Sequence, residues 1–140
     1  MQQVFLDTNV FLDAILQRND AARCDEILSL GQRREISIKT SSSILVTVIY
    51  FLQKAQLDAA TIIAVIDKLL KVVSLQSPSE KTFSNALHAG FPDLEDAVQY
   101  FTASQVDDMD YFITSNTKDF KKATAQLPVL TPAAFIKTVQ

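Results

Sequence analysis

Short apolar runs alternate along the chain with longer segments whose apolar positions recur at helical spacing. Gln3 to Leu6 is a run expected of a strand buried on both faces. Asp7-Thr8-Asn9 follows, three residues that cap helices well, and Val10 to Leu16 reads as a helix. A second helix fits Ala21 to Leu30, capped by Asn19 or Asp20 and stopped by Gly31. Glu35 to Ile38 alternates with a period of two and reads as a strand. Thr40 to Ala55 carries both signals. Its Ile, Val and Thr favour a strand, whereas its length and the capping run Thr40 to Ser43 favour a helix, which is the reading adopted.

Asp58 opens another helix, with Ile62, Ile63, Ile66, Leu69 and Leu70 on its apolar side, leading into a strand over Val72 to Leu75. Ser77-Pro78-Ser79-Glu80 opens the next helix, which Gly90 ends. Pro92-Asp93 caps a longer helix from Leu94 to Val106. Tyr111 to Thr114 and Pro128 to Leu130 read as strands, and Pro132 to Val139 as a closing helix. Strands separated mostly by helices predict one α/β domain over residues 1–140, a three-layer α/β/α sandwich on a central parallel five-stranded sheet. Ligands of such sheets gather beyond the carboxyl ends of the strands. Asp7 ends the first strand, and Asn116 and Asp119 lie just past the fourth, so three polar groups are expected at one edge.

Composition narrows the function. Hydrophobic residues make up 48% and charged residues 21%, the balance of a globular domain. A net charge of −3 and a pI near 5.0 argue against a general nucleic-acid binder with a basic surface. Any nucleic-acid role must rest on a local basic rim, metal ions or a partner chain. The lone Cys24 excludes an internal disulfide and fits a reducing, cytoplasmic compartment. No signal sequence precedes the first strand, and the longest apolar stretch, Ile44 to Leu52, is too short to span a bilayer.

The acids that matter sit at element ends: Asp7, then Asp93, Glu95 and Asp96 in one helical turn, then Asp119. Carboxylates gathered at one sheet edge repel, and a divalent cation is the usual compensation. Mg²⁺ and Mn²⁺ prefer oxygen ligands and keep several waters. Each acid also has a bland role. Asp7 could only cap a helix, Glu95 and Asp96 could complement a helix dipole, and Asp119 could anchor a loop. Asn116 could satisfy turn backbone. Asp13 is turned from Asp7 by helical geometry and reads as structural. His88 has no catalytic neighbour and reads as a helix-end residue, and Cys24 as a small hydrophobe. Lys118, Lys121 and Lys122 could touch phosphates or form a solvated loop.

Leu6 to Asp13, Leu-Asp-Thr-Asn-Val-Phe-Leu-Asp, resembles the opening motif of PIN domains, the fold of VapC-type toxin ribonucleases. Phe91 to Ala97 resembles the third-acid helix of a PIN subfamily, Thr114 to Phe120 its fourth motif, and Leu130 to Phe135 its closing strand and helix. The resemblance implies a site that binds Mg²⁺ or Mn²⁺ and hydrolyses RNA through metal-activated water. It implies Asp7 and Asp96 as metal ligands, with Asn116 where many members place a fourth acid and Asp119 as its substitute. Thr8 and Asn9 would hold the first turn, and Thr114 would support the fourth motif, with Asp93 and Glu95 as supporting acids. A homodimer and a neutralising antitoxin are the implied protein partners. One acid of the pattern, inside the third helix near Val48, is absent, and no Asp or Glu lies between Glu35 and Asp58.

Two functions compete. The first is a metal-dependent endoribonuclease, the toxin of a toxin–antitoxin pair. The second is a catalytically weakened PIN domain that binds RNA or protein. A phosphoaspartate receiver or phosphatase needs a second acid after the first strand, which Asp7-Thr8-Asn9 does not supply.

Overall fold

The computed structural model describes residues 1–140. Strands β1 (Gln2–Leu6), β2 (Ile36–Ser41), β3 (Val73–Gln76), β4 (Tyr111–Ile113) and β5 (Val129–Leu130) form one parallel sheet in the order β3-β2-β1-β4-β5. Helices α1 (Thr8–Leu16), α2 (Ala21–Gln32), α3 (Ser42–Lys54), α4 (Ala59–Leu70), α5 (Glu80–Leu87), α6 (Leu94–Ser104) and α7 (Pro132–Val139) cover it. The α/β/α layering expected from the alternation is present.

β1 is the pivot. Val4 pairs with Ile38 of β2 on one side and with Tyr111 of β4 on the other. Strand order reverses there, which opens a crevice between the carboxyl ends of β1 and β4. The two sheet faces differ in texture. Phe5 stacks on Phe112 at 5.5 Å, and Phe112 meets Tyr100 of α6 and Phe120. On the opposite face Val4, Leu6, Ile38 and Ile113 are fully or almost fully buried, with Tyr111 beside Val4 in register and packed on Phe135 of α7. All belong to one hydrophobic cluster. Residues alternating along β1 thus serve both layers, as its unbroken apolar run required.

The capping residues behave as their chemistry dictates. Side-chain oxygens of Ser41, Asp58, Ser79, Asp93 and Thr131 accept a backbone N–H in the first turn of α3, α4, α5, α6 and α7. The ambiguous Thr40 to Ala55 segment splits between a strand end and a helix because Ser41 closes β2 and caps α3 at once. Asp20 holds the cap position of α2 but makes no capping bond; it pairs with Arg23 at 3.2 Å.

Several boundaries differ from the sequence expectation. Gly31 does not stop α2 but lies inside it, where a Cβ would collide with Ile38 and press on Val72. Its smallness serves helix–sheet packing, and the stop falls at Arg34, whose φ of 60° is left-handed. α6 ends at Ser104, short of Val106. β3 begins one residue later than expected. β4 ends at Ile113, freeing Thr114 for side-chain bonding, and Pro128 precedes β5. A 3₁₀ turn over Thr117–Phe120 was not foreseen.

Candidate functional site

Asp7 occupies the crevice between β1 and β4. Its backbone N–H donates to the Ile113 carbonyl at 3.0 Å, as an extension of the β1–β4 ladder. The chain then turns into α1, and Asp7 Oδ1 accepts the Thr8 N–H at 2.8 Å. Oδ2 accepts the Thr114 hydroxyl at 2.9 Å. Thr114 Oγ1 is a hub, for it also accepts the Asn9 side-chain amide at 3.1 Å and the Asn116 N–H at 3.2 Å. Asn9 Oδ1 in turn accepts the Ser115 N–H at 2.9 Å. Two strand ends are therefore stitched together through one carboxylate, and both Asp7 and Thr114 are buried.

Asp96 approaches from the other side. Asp93 caps α6 by accepting the Asp96 N–H at 2.9 Å, which places Asp96 in the first turn. Half-burial is the main cause pushing the Asp96 carboxyl up to about 7, and the negative charges of Asp7, Asp93, Asp119 and Glu95 add to it. Asp7 is also raised, chiefly by burial, while its bonds from Thr114 and Thr8 pull the other way and Glu95 and Asp93 push further up. None of these five acids belongs to the three ion pairs of the molecule, which are Arg18–Asp13, Arg23–Asp20 and Arg33–Glu35. The acids crowd one another with no cation opposite them.

Asn116 and Asp119 act as a unit. The Asn116 amide donates a short hydrogen bond to Asp119 Oδ2 across the 3₁₀ turn, and the Asn116 N–H ties the pair to Thr114. Asn116 thus holds the acid that stands near Asp96. Lys118, Lys121 and Lys122 are exposed on and after this turn, and the Lys122 stem lies beside Gly90, just before α6. Asp13 is buried away from the cluster, held by Arg18 at 3.0 Å, Asn19 at 3.2 Å and the Ser115 hydroxyl at 3.5 Å. His88 is exposed at the end of α5. Cys24 is buried, and that burial drives its thiol up to about 12, so it is inert at neutral pH.

Val48 is fully buried in the core. What α3 offers α6 is a neutral network. Ser41 Oγ donates to Gln99 Oε1 at 2.6 Å, and Gln99 Nε2 donates to Ser43 Oγ at 2.7 Å. Gln99 lies three residues after Asp96, on the same side of α6. Sequence reasoning passed over this trio; the available signal was the i, i+3 spacing from Asp96 on a helix already suspected of carrying the site. The donor set is all oxygen, which suits a hard cation. No group of three or more Asp, Glu, His or Cys side chains is arranged to hold a metal ion unaided. Such oxygens could serve only a cation that takes one or two carboxylates and keeps several waters, and Asp7 and Asp96, whose charges act on one another, are the acids available for it.

A sheet with a buried aspartate at its switch point, facing a second acid at a helix N-terminus, defines an α/β protein with an acidic site at the carboxyl edge. The PIN domain model matches residues 3–118, and the chain belongs to that family. Among solved structures, it is similar to a chain of VapBC2 from Rickettsia felis, crystallised bound to a DNA fragment from their promoter. The TM-score is 0.67 at 18% identity, over 93% of this chain and 98% of that one. No curated protein matches the sequence.

Proposed function

We propose that the chain is a metal-dependent endoribonuclease and the toxin of a toxin–antitoxin pair. The observation that carries this reading is the set of uncompensated carboxylates at the switch point of a PIN fold. Asp7 and Asp96 would hold Mg²⁺ or Mn²⁺, which when bound would supply an acidified water and offset charge on a phosphodiester. Asp7 is fixed for that role by Thr8 and Thr114, with Asn9 bracing Thr114. Asp119, clamped by Asn116, adds a third negative group near Asp96. Asp93 orients the α6 turn through the Asp96 N–H, and Glu95 adds to the field. Lys118, Lys121 and Lys122 are exposed and free of ion pairs, and they would meet the phosphates of an RNA strand.

The protein partners follow from the same reading. An antitoxin segment would cover the acidic crevice, a partnership supported by the likeness to a VapBC chain. A homodimer would cover Val46 and Tyr50, which project from α3 at 65% and 56% exposure. No helix is long and apolar enough to cross a membrane, which is compatible with action on cytoplasmic RNA.

The test is calorimetric titration of Mn²⁺ into wild type and Asp96→Asn, with RNA cleavage assayed on the same samples. Metal binding and cleavage by wild type alone support the nuclease. Removing a carboxylate that would hold the charge-neutralising cation is expected to lower cleavage by about 100-fold or more. A protein that binds RNA but neither metal nor cuts would fit the second reading, a binding module. That reading is favoured by one observation, the neutral Ser41–Gln99–Ser43 network on an α3 that carries no acid. Turnover abolished by Asp7→Asn would rule it out.

A further inference from the structure

The amino-terminal edge of the sheet, opposite the acids, carries a cleft of about 660 Å³. Arg34, Lys68 and Lys71 line it, and no Asp or Glu does, although the chain holds sixteen acids. Its apolar floor is Ile36, Ile38 and Val72, and Ser37 and Ser74 add hydroxyls. None of the three cations has an ion-pair partner. Lys68 and Lys71 also border an adjoining groove with Asp58 and Asp67, but at no ion-pair distance from either. The one acid beside Arg34 in sequence, Glu35, is taken by Arg33 at 2.5 Å.

The backbone gives an independent observation. The Arg34 N–H donates to the Gly31 carbonyl and the Glu35 N–H to the Leu30 carbonyl, the bonding of a helix end whose left-handed position normally belongs to glycine. Arg34 holds that position at φ 60°, which disfavours any residue with a Cβ. Gln17, Asn19, Gln56 and Asp108 share the region, so the strain by itself assigns nothing. Arg34, however, also lines the cleft together with Lys68 and Lys71, and none of the three is in an ion pair. Strained backbone of this kind concentrates at ligand sites.

We propose that this cleft binds a phosphate-bearing ligand of nucleotide size. The guanidinium fork matches phosphate oxygens in pairs, and two lysines add point charge. The aliphatic floor suits the flat, less polar remainder of a nucleotide, and the volume lies in the usual range for small-molecule sites. The competing role for Lys68 and Lys71, at the carboxyl end of α4, is to complement the helix dipole. That role needs no ligand.

The test records amide NMR spectra of the intact chain in EDTA, so that no metal can bridge phosphate to the acidic edge. ADP, pyrophosphate, adenosine and a short single-stranded RNA are titrated in turn. ADP is expected to shift the amides of Gly31, Ser37 and Ser74, with adenosine much weaker. Arg34→Gly and Lys71→Gln should each weaken ADP by about tenfold, or about 1.4 kcal/mol. Arg34→Gly should keep or raise the melting temperature, so that lost binding is not lost folding. RNA that displaces ADP supports the site and names a strand as the phosphate source; RNA without effect there supports a free nucleotide. Adenosine binding as tightly as ADP would overturn the proposal, as would shifts confined to Asp96 and Lys118 to Lys122. Affinity unchanged in both variants, or no shift at the cleft with any probe, would overturn it too.

Discussion

At the carboxyl edge of the sheet the charges are carboxylates on short side chains, fixed by backbone caps and a buried threonine. At the amino edge they are cations on long side chains that reach into a cleft from two helix ends. The first edge is rigid and electrostatically frustrated, since burial and mutual repulsion lift Asp96 to about 7. The second is solvated, and its cations cost little to hold apart. A rigid array of like charges suits a site whose ligand is a small cation needing fixed geometry. A flexible array suits a larger anion that can be wrapped. Like charge is gathered at both edges, but only at the carboxyl edge does the fold itself resist it.

The largest break in that comparison should come from Thr114→Val. The change keeps the shape of a fully buried side chain but removes the hydroxyl that donates to Asp7 and accepts from Asn9 and Asn116. Leaving a buried carboxylate short of a donor is expected to destabilise by about 2 kcal/mol. For a chain of this size that lowers the melting midpoint by about 6 °C. Ser37→Ala at the amino edge should change stability by less than about 0.5 kcal/mol. Thermal melts of both variants decide the matter; equal losses would mean the two edges are not built differently.

The contrast between the edges was only half legible in the sequence. Asp7 could be placed because an apolar run, a capping residue and a helix follow one another locally, and the same local logic found Ser41, Asp93 and the strand–helix alternation. The Ser41–Gln99 bond spans 58 residues, and no local pattern announces it. Asn116 and Asp119 read as alternatives until the 3₁₀ turn joined them. The basic cleft collects residues from α2, α4 and the strand starts, each of which reads singly as a solvated charge. Gly31 gave the wrong signal, since glycine near a helix end suggests a stop while close approach to a strand requires it equally.

A smaller effect should appear in the pH dependence of the metal-free protein. Asp96 is raised in the folded state from an ordinary value of 3.8 to about 7, and Asp7 is raised as well. Well below pH 3.8 both carboxyls are protonated whether the chain is folded or not, and their contribution to stability is fully present. As pH rises from about 4 to about 7, the unfolded chain loses protons that the folded chain keeps, so stability falls. Denaturant titrations in EDTA should show this decline, and Asp96→Asn should flatten it. Mn²⁺ at pH 8 should restore stability by mass action if the acids hold it. A decline that survives Asp96→Asn unchanged would remove the frustration from the carboxyl edge.

The smallest effects come from two neighbouring positions at the amino edge and should have opposite signs. Gly31→Ala puts a methyl group against Ile38 and Val72, and overpacking there should cost about 1 kcal/mol. Arg34→Gly relieves a left-handed backbone and should gain a few tenths of a kcal/mol, because freeing that conformation outweighs the added freedom of the unfolded chain. Chemical denaturation resolves the pair when both variants are measured against wild type. A clear loss with Arg34→Gly would mean that its side chain stabilises the helix end, and the amino edge would then be held by its cations as firmly as the carboxyl edge is held by Thr114. A gain means that this arginine is retained at a cost to folding, as the acids opposite are.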